Sequence, residues 1–411
     1  MRPELLAPAG DLERLKVALD YGADAVYIGG PSYGLRANAV NFTMNDIKKA
    51  VSYAHSKNKK VYVTVNIILH NKELKSALKY LKELDKSGVD AIIVSDPTII
   101  DLAHKNTKLD IHISTQQSNL NSESIKFYKS LGATRIVMGR EASEKDILSI
   151  KKNVNIELEC FIHGAMCASY SGRCALSNFF TGRDANRGGC AQICRWDFDL
   201  EDTNGNILKG DKKFTFSSKD LSMLKYIPNM IEDGISSFKI EGRMRSAYYL
   251  ATVVSVYRRS IDSYYDHKFK YDKHDEKILD RVANRESITQ FYNDDFGPDT
   301  SYYNSNGEPS NQDFLGIVKS YNKRNEIVTV EQRNFFKMGD KVTFFGPNHK
   351  DIDVELPILC NIKNKMVDTA NHPQELIKFV LPEEVQKGDF MRIKIWLTKN
   401  TLCSILKKVY W

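Results

Sequence analysis

The first part of this 411-residue chain, up to Ile240, alternates short apolar runs with longer amphipathic stretches. Short runs rich in β-branched residues are typical of buried strands, whereas apolar positions every three or four residues are typical of helices. The runs predict strands at Glu4–Leu6, Ala25–Ile28, Val61–Val65, Ala91–Val94, Asp110–Ile113, Arg135–Met138, Ile156–Phe161, Phe214–Ser217 and Ser237–Ile240. The amphipathic stretches predict helices at Leu12–Tyr21, Asn45–Lys57, Lys72–Ser87, Pro97–His104, Ser122–Leu131 and Ser143–Lys151. Asp11, Ser122 and Ser143 are the expected helix caps.

One pattern returns three times in this region, in the phrases YGADAVYIGG, SGVDAIIVSD and LGATRIVMGR. Each phrase contains a helix end, a glycine, a small residue, an apolar strand and a polar loop, with Gly22, Gly88 and Gly132 as the helix stops. Repeated βα units with nearly continuous apolar strands indicate a parallel sheet that is buried on both faces. Eight or nine such strands favour a (β/α)8 TIM-like barrel over an open doubly wound sheet, and no GxGxxG follows the first strand.

The pattern changes after this region. Arg245–Tyr265 predicts a long helix, and residues 266–311 form a polar linker with some helix around Lys277–Arg285. From there on, short alternating strands predict a small all-β barrel, in which FKMGDKVTFFG and VQKGDFMRIKI are similar turn-plus-strand units. We therefore expect a TIM-like barrel domain at 1–265, a linker at 266–311 and a C-terminal β-barrel domain at 312–411. The last domain either packs as an accessory or docks a substrate such as RNA.

Composition places the chain in an ordinary class. Hydrophobic residues make up 42% and charged residues 27%, as in a soluble globular protein. The start, MRPELLAPAGDLERLK, lacks the pattern of a secretory signal, and no apolar run reaches the roughly 20 residues that span a bilayer. We expect a cytoplasmic protein with reduced cysteines and no membrane partner. The net charge of +7 permits a nucleic-acid partner, but a solvated lysine-rich surface explains it equally well.

Four of the seven cysteines fall in one window, with the spacing C-x6-C-x15-C-x3-C, at Cys167, Cys174, Cys190 and Cys194. The window is rich in Gly, Arg and Asn, which is typical of a loop folded around a cofactor rather than a packed helix. Four thiolates can hold an iron–sulfur cluster or a zinc ion. The long spans between the ligands favour the cluster, and zinc or no metal at all remain the alternatives. The scattered cysteines, Cys160, Cys360 and Cys403, are interpreted as packing residues.

The active site of a parallel barrel lies at the carboxyl ends of its strands, where the cysteine window also begins. Several polar side chains follow these strands and are candidates for binding a substrate. They are Asn66, Gln116, Arg140 and Arg243, joined by Arg173 and Arg195 from the window. Arginines there either neutralise the thiolates or hold an anionic substrate. His163 and Glu241 are candidates for proton transfer, although His163 can equally be a structural histidine and Glu241 and Arg243 a salt bridge.

Peptidase chemistry has little support from the residues themselves. HExxH and GxSxG are absent, and no cysteine is paired with a histidine and an asparagine in a recognisable context. If all four window cysteines ligate a metal, none of them is free to act as a nucleophile.

The segment ECFIHGAMCASYSGRCALS, at Glu159–Ser177, resembles the signature of the collagenase-like peptidase family U32. The opening PELLAPAGDLERLKVALDYGADAVYIGG and the phrases STQQSN, SSKDL and KIEGRMRS are similar to the same family, and RDANRGGCAQICRW resembles its tRNA hydroxylation branch. The resemblance covers nearly the whole chain. It implies a barrel with a C-terminal β-domain and a [4Fe–4S] cluster held by the four window cysteines.

The same resemblance implies a function in forming 5-hydroxyuridine at the tRNA wobble position, with prephenate as the source of the hydroxyl group. The expected partners are the tRNA anticodon loop, a small dicarboxylate such as prephenate and, as one hypothesis, a second family member. A wobble uridine lies in a single-stranded loop, so Tyr170, Phe179, Phe180 or Trp196 could stack on it or simply pack. Two alternatives stay open: a collagenase-like peptidase, and a non-catalytic tRNA-binding or structural subunit.

Overall fold

The protein is described from a computed structural model, which covers residues 2–35, 41–208, 213–283, 285–294, 296–297 and 312–395. The chain divides into two compact units. The first contains Met1–Phe269 and Arg285–Glu308, and the second contains Lys270–Asn284 and Pro309–Trp411. The segment that the sequence predicts as a linker is therefore shared between the two units. No helix in the described ranges is long and apolar enough to cross a bilayer.

The first unit is a closed parallel barrel, as the sequence predicts. Its eight strands are β1 Glu4–Pro8, β2 Ala25–Gly29, β3 Lys60–Val65, β4 Ala91–Val94, β5 Asp110–Ile113, β6 Arg135–Val137, β7 Glu157–Gly164 and β9 Ser237–Ile240. Each strand pairs with the next, and β9 closes the ring because Ser237 pairs with Glu4 on one side and Glu159 on the other. Every residue of β2, β4 and β9 is buried, as expected for a sheet covered on both faces.

Helices surround this barrel. They are α1 Leu12–Asp20, α2 Met44–His55, α3 Asn71–Lys86, α4 Pro97–Asn106, α5 Ser122–Ser130, α6 Glu144–Asn153, α7 Leu176–Thr181, α8 Ile227–Glu232 and α9 Ala247–Tyr265. Asp11 and Ser143 cap their helices, as predicted. The prediction for Ser122 is wrong by one residue, since Asn121 accepts the capping hydrogen bond and Ser122 is the first helical residue. Gly22, Gly88 and Gly132 all have positive φ where their helices stop.

One predicted strand is wrong. Phe214–Ser217 does not join the barrel; Phe214 makes an isolated antiparallel bridge to Phe198 in the segment that follows the cysteine window. The aromatic and β-branched residues there pack on one another, with the rings of Phe214 and Phe216 only 4.7 Å apart. The short strands added to the barrel edge are instead β8 Asp220–Ser222, antiparallel to β7, and β10 Ser287–Ile288, parallel to β8.

The second unit is an antiparallel β-domain that also contains helix α10, Lys273–Val282. Its strands are β11 Phe314–Asn322, β12 Ile327–Gln332, β13 Phe336–Lys337, β14 Lys341–Gly346, β15 His349–Glu355, β16 Leu359–Asn361, β17 Met366–Val367, β18 Thr369–Ala370, β19 Leu376–Val380 and β20 Phe390–Ile393. The two similar sequence units form β13–β14 and β20, and their turns use Gly339 and Gly388 at positive φ. Alternate side chains from β12 and β19 point into one apolar core. The predicted all-β fold is therefore confirmed.

Candidate functional site

A cavity of about 280 Å³ opens at the carboxyl ends of the barrel strands. It brings together almost all of the side chains that the sequence indicates as a site, although they come from six different parts of the chain. The predicted residues that line it are Asn66, Gln116, Arg140, Cys167, Arg173, Cys174, Cys190, Cys194, Arg195, Glu241 and Arg243. A position at this end of a parallel barrel is where enzymes of this architecture carry their chemistry.

The floor of the cavity is charged. The Nζ atom of Lys239, on β9, lies 2.7 Å from Oε1 of Glu159, whose side chain is fully buried on β7. Arg135 lies on the other side and reaches Glu159 at 3.2 Å and Glu4 at 2.6 Å. Burial alone would raise the pKa of Glu159, but Lys239 and Arg135 lower it to about 2. The carboxylate is therefore ionised, and the buried charges are paired as burial demands.

The wall above this floor carries two guanidinium groups. The Arg140 guanidinium carbon lies 4.2 Å from the ring centre of Phe161, and its NH2 atom is 3.9 Å from Oε2 of Glu241. Tyr27 also donates a hydrogen bond to Oε2 of Glu241, at 3.3 Å. Arg243 is buried, with one guanidinium nitrogen 3.5 Å from Oγ1 of Thr64. Planar arginine forks around an opening of this size are suited to carboxylates and phosphates.

A polar corner of the cavity is built by Asn66, at the end of β3, and Ser114, at the end of β5. The Asn66 amide donates to Oγ of Ser114 at 3.2 Å. Its carbonyl oxygen is buried and no donor reaches it within the described residues. An unmet buried acceptor in a ligand-sized cavity is a position where a bound molecule can donate a hydrogen bond.

The loop that carries Cys167 and Cys174 is anchored to the barrel through Ser171 and Gly172. The Ser171 amide donates to Oε1 of Glu141 at 2.8 Å. Gly172 has a φ of 74°, and a Cβ atom there would stand 2.1 Å from the carbonyl oxygen of Gln116. Only glycine fits this close approach. The loop therefore has one position against the mouth of the barrel.

Further bonds join the two halves of the cysteine window. The side-chain amide of Asn186 accepts from the Cys174 amide at 3.4 Å and donates to its carbonyl at 3.0 Å. Ser177 accepts a hydrogen bond from the amide of Ala191, beside Cys190. Arg187 pairs with Glu73 of α3 at 2.5 Å. These contacts place Cys190 and Cys194 on the same cavity as the first two cysteines.

The four thiols influence one another electrostatically. Burial raises the pKa of the Cys194 thiol, and the nearby Cys167, Cys190 and Cys174 raise it further, while Arg195 acts in the opposite direction. Within the described residues, however, no three His, Cys, Asp or Glu side chains form a group that could hold a metal ion. The donor set fits a thiolate-bound centre in its chemistry and in its convergence on one cavity.

His163 does not line the cavity, and neither do Phe179, Phe180 and Trp196, three of the four aromatic residues suggested for stacking. A bulge between β7 and β9, where Phe161 pairs with Lys239 and His163 with Ile240, breaks the alternation of the strand. The ring is buried, and its Nδ1 atom lies 3.3 Å from the Tyr257 hydroxyl of α9. Burial, with the nearby Arg245, lowers its pKa to about 3. This position favours a structural role for His163 over a role in proton transfer.

Sequence reasoning missed Lys239 and Tyr27, which line the cavity from inside strands β9 and β2. The available signal was a charged residue and a tyrosine within otherwise apolar strands, SFKI and AVYIG. In a buried parallel strand, such residues point either toward the helices or into the barrel. A buried lysine needs a carboxylate as its partner. Lys239 finds this partner in Glu159, in the barrel interior.

The fold and the site together define a parallel α/β-barrel protein with a cysteine-lined, arginine-rich cavity at the carboxyl ends of its strands. The chain belongs to peptidase family U32: the family model matches residues 10–301, and the model of the family's C-terminal domain matches residues 310–392.

Relatives within the family carry different names. The chain is 45% identical to "tRNA hydroxylation protein P1" of Bacillus subtilis over 399 residues, which cover 95% of this chain and 94% of that protein. It is 40% identical over 262 residues to "23S rRNA 5-hydroxycytidine C2501 synthase" of Escherichia coli, covering 64% of this chain and 40% of that protein. It is also 30% identical to "Collagenase" of Porphyromonas gingivalis, covering 84% and 86% of the two chains.

Proposed function

We propose that this protein is a tRNA hydroxylation enzyme that depends on an iron–sulfur cluster and converts the wobble uridine to 5-hydroxyuridine. The observation that carries the proposal is the convergence of four cysteines and four arginines on one cavity at the catalytic end of the barrel. The proposal is supported by relatives named for tRNA hydroxylation over nearly the whole length of the chain. A relative named as an rRNA hydroxycytidine synthase supports the view that the site performs chemistry.

Cys167, Cys174, Cys190 and Cys194 would hold the cluster, which in the proposal is of the [4Fe–4S] type. When bound, such a cluster would supply electron transfer. The remaining steps belong to the chain. Arg173 and Arg195 line the same cavity as the four cysteines, and their positive charge would offset the negative charge of a thiolate-bound cluster. Zinc in the same thiolates is the alternative that metal analysis decides.

In the proposal the arginines of the wall hold the hydroxyl source, a small dicarboxylate such as prephenate. Arg140 and Arg243 come from different strands, so two carboxylates of one molecule can each meet a guanidinium fork. Glu241 accepts a hydrogen bond from Tyr27 and faces Arg140, and in the proposal it takes or returns a proton at the bound molecule. His163 has no part in this scheme, because its neutral ring lies against Tyr257.

The RNA partner is the tRNA anticodon loop. A base in a single-stranded loop can leave its stack and enter a cavity, where an aromatic side chain replaces the lost stacking. Tyr170 lies on the lining of the cavity and is half exposed, so it is available for this contact. In the expected arrangement, the dicarboxylate binds deeper in the cavity against the arginines, and the uridine binds above it at the opening.

The test is nucleoside analysis of tRNA from a strain that lacks this protein and any redundant pathway. We expect 5-hydroxyuridine and its derivatives to disappear, to return with the wild-type protein and to stay absent with Glu241→Gln. A strain unable to make prephenate should show the same loss. Unchanged nucleosides in the deletion strain would refute the proposal.

A peptidase remains the second candidate, and the specific observation in its favour is the likeness to the relative named "Collagenase". The described lining of the cavity contains no histidine and Glu241 as its sole carboxylate. Cleavage of a collagen peptide by purified protein, lost on one point substitution, would support this candidate. RNA retention without turnover would instead favour a non-catalytic binding subunit.

A further inference from the structure

Helix α3, Asn71–Lys86, carries five lysines in a regular row. Their spacing along the chain is three, four, three and four residues, which repeats the turn of an α-helix, so all five lie on one side. At 100° per residue they fall within an arc of about 80°, and at 1.5 Å per residue the row is about 21 Å long. We call this set the lysine row; it consists of Lys72, Lys75, Lys79, Lys82 and Lys86.

The row lies opposite the side of α3 that packs on the barrel. The buried residues of the helix are Ala77, Tyr80, Leu81 and Leu84, whose mean direction on the helix is about 170° from that of the lysines. All five lysines are exposed to solvent. Packing therefore does not explain why lysine occupies these positions, since helix propensity alone accepts several other residues there.

The lysines of the row differ from the ion-paired lysines of the barrel surface. Elsewhere Lys57, Lys59 and Lys105 each lie within 3 Å of an aspartate. Within the described residues, no carboxylate forms an ion pair with any member of the row. Helix α3 has three acidic residues. Glu73 forms an ion pair with Arg187. Asp85 lies outside the 80° arc that the lysines occupy, and Glu83 lies at its border. The row is thus a line of positive charge without matching negative charge.

The row starts at the end of α3 that contacts the cysteine window. In the first turn of α3, the Glu73 carbonyl accepts a hydrogen bond from the Tyr33 hydroxyl at 3.3 Å. The Glu73 carboxylate pairs with Arg187 of the cysteine window. Because the helices of a parallel barrel run back from the carboxyl ends of the strands, the row leads from the cysteine loop down the outside of the barrel. A ligand that lies along it can reach the cavity with one end.

We propose that the lysine row of α3 docks the phosphate backbone of the RNA substrate while its target nucleotide occupies the cavity. This inference rests on the proposed function and names the surface that holds the substrate. A line of separate ammonium groups about 21 Å long matches a polyanion with regularly spaced charges, such as one strand of an RNA stem. A small anion would need convergent groups instead. Backbone contacts position a nucleic acid without reading its sequence, which suits a site whose specificity lies in the cavity.

The test compares tRNA binding by the wild-type protein and two triple variants of equal charge. The first is Lys75→Ala with Lys79→Ala and Lys82→Ala, in the middle of the row. The matched control is Lys126→Ala with Lys145→Ala and Lys152→Ala, which removes three exposed lysines from α5 and α6 on another side of the barrel. Binding of an unmodified tRNA transcript is measured by fluorescence anisotropy over a series of salt concentrations. Circular dichroism checks that each variant is folded.

We expect the row variant to bind tRNA about tenfold more weakly at low salt and the control to bind like the wild type. The slope of log K against log salt should become shallower by about 2 to 3 in the row variant, since each lost phosphate contact contributes about 0.7 to 0.9. Single variants such as Lys79→Ala should change the slope by about 1.

Equal binding and equal slopes in both triple variants would overturn the proposal. So would a row variant that keeps its tRNA affinity but no longer binds vesicles containing phosphatidylserine, because the occupant would then be a membrane. The two proposals fail separately. Normal 5-hydroxyuridine in the deletion strain removes the proposed function, whereas normal tRNA binding by the row variant removes only the docking surface.

Discussion

At the scale of single residues, the barrel keeps an ion-pair network directly beneath the cavity. Glu159 and Lys239 are both buried, and each is held by the other at 2.7 Å. Buried pairs of this kind seldom add much stability, but removal of one partner leaves an uncompensated charge. The network therefore holds the floor of the site in place, and substitution of any one of its members should strongly destabilise the fold.

Substitution of Lys239 by methionine should destabilise the protein by about 3 kcal/mol or more, because Glu159 then keeps Arg135 as its principal cation. Denaturant unfolding measures the effect. The double variant Lys239→Met with Glu159→Gln should recover part of the loss. Lys219→Met is the matched control, since the Glu286 partner of Lys219 is largely exposed, and it should change stability by about 1 kcal/mol or less. Equal losses in both single variants would contradict this assignment.

Arg140 belongs to the same scale. Replacement by lysine keeps the charge but removes the planar fork that carboxylates bind. We expect hydroxylated tRNA in complemented cells to fall about tenfold while the variant stays folded. Arg183→Lys is the control, because Arg183 is exposed and does not line the cavity. Full activity of Arg140→Lys would show that a positive charge at this position is enough to bind the substrate, without the planar guanidinium fork.

At the scale of elements, the cysteine loops are irregular segments fixed by side chains of the barrel. Their geometry depends on a few close contacts rather than on a helix or sheet ladder. Two glycines of the window, Gly172 and Gly182, both have positive φ, at 74° and 67°. They differ in surroundings, since a Cβ atom would meet Gln116 in the first case and nothing within 4 Å in the second.

Gly172→Ala should therefore displace the loop that carries Cys167 and Cys174, whereas Gly182→Ala should cost only about 1 kcal/mol from its backbone conformation. Iron content after anaerobic purification and thermal unfolding measure the two effects. We expect iron to be lost from Gly172→Ala and retained by Gly182→Ala. Retention of iron by both variants would mean that the close approach to Gln116 is not needed.

In the second unit, His349 links β15 to the loop before β20. Partial burial alone would lower its pKa, but hydrogen bonds to the Lys350 carbonyl and to Asp389, at 2.7 and 2.8 Å, raise the pKa above its ordinary value. Both partners accept hydrogen bonds, so the doubly protonated ring satisfies them together.

The raised pKa has a defined consequence for stability. The contribution of His349 is fully present below its unfolded pKa of about 6.5 and is lost as the pH rises through the higher folded value. The free energy of unfolding of the wild type should thus decline at alkaline pH relative to His349→Gln, whose stability should lack this step. Parallel pH profiles of the two proteins would contradict the assignment.

The barrel could be predicted from the sequence because each βα unit repeats the same local signals. Gly88 ends a helix and Ala91–Val94 follows as a continuous apolar strand, and the structure has the same order. The sequence wrongly predicts a strand at Phe214–Ser217, because the aromatic and β-branched residues that pack on one another in this loop are also typical of strands. The position of His163 could not be predicted, since a bulge in β7 changes the side to which the residue points and leaves no mark in the sequence.

At the scale of the whole molecule, the candidate site is assembled from strand ends that are far apart in the chain. Arg140 and Glu241 are about a hundred residues apart in sequence, and only barrel closure through β9 brings them to 3.9 Å. Motif and spacing therefore identified most members of the site, whereas their mutual geometry came from the closed fold. The identity of the cofactor is the claim on which the proposed chemistry depends most.

Metal analysis of protein purified without oxygen tests this claim most directly. Iron, acid-labile sulfide, zinc and the visible spectrum are measured for the wild type and for Cys174→Ala, with Cys160→Ala as the control because Cys160 is buried in β7 outside the cavity lining. We expect about four irons and four sulfides per chain in the wild type and control, and their loss in Cys174→Ala. Stoichiometric zinc, or a wild-type protein without metal, would contradict this claim.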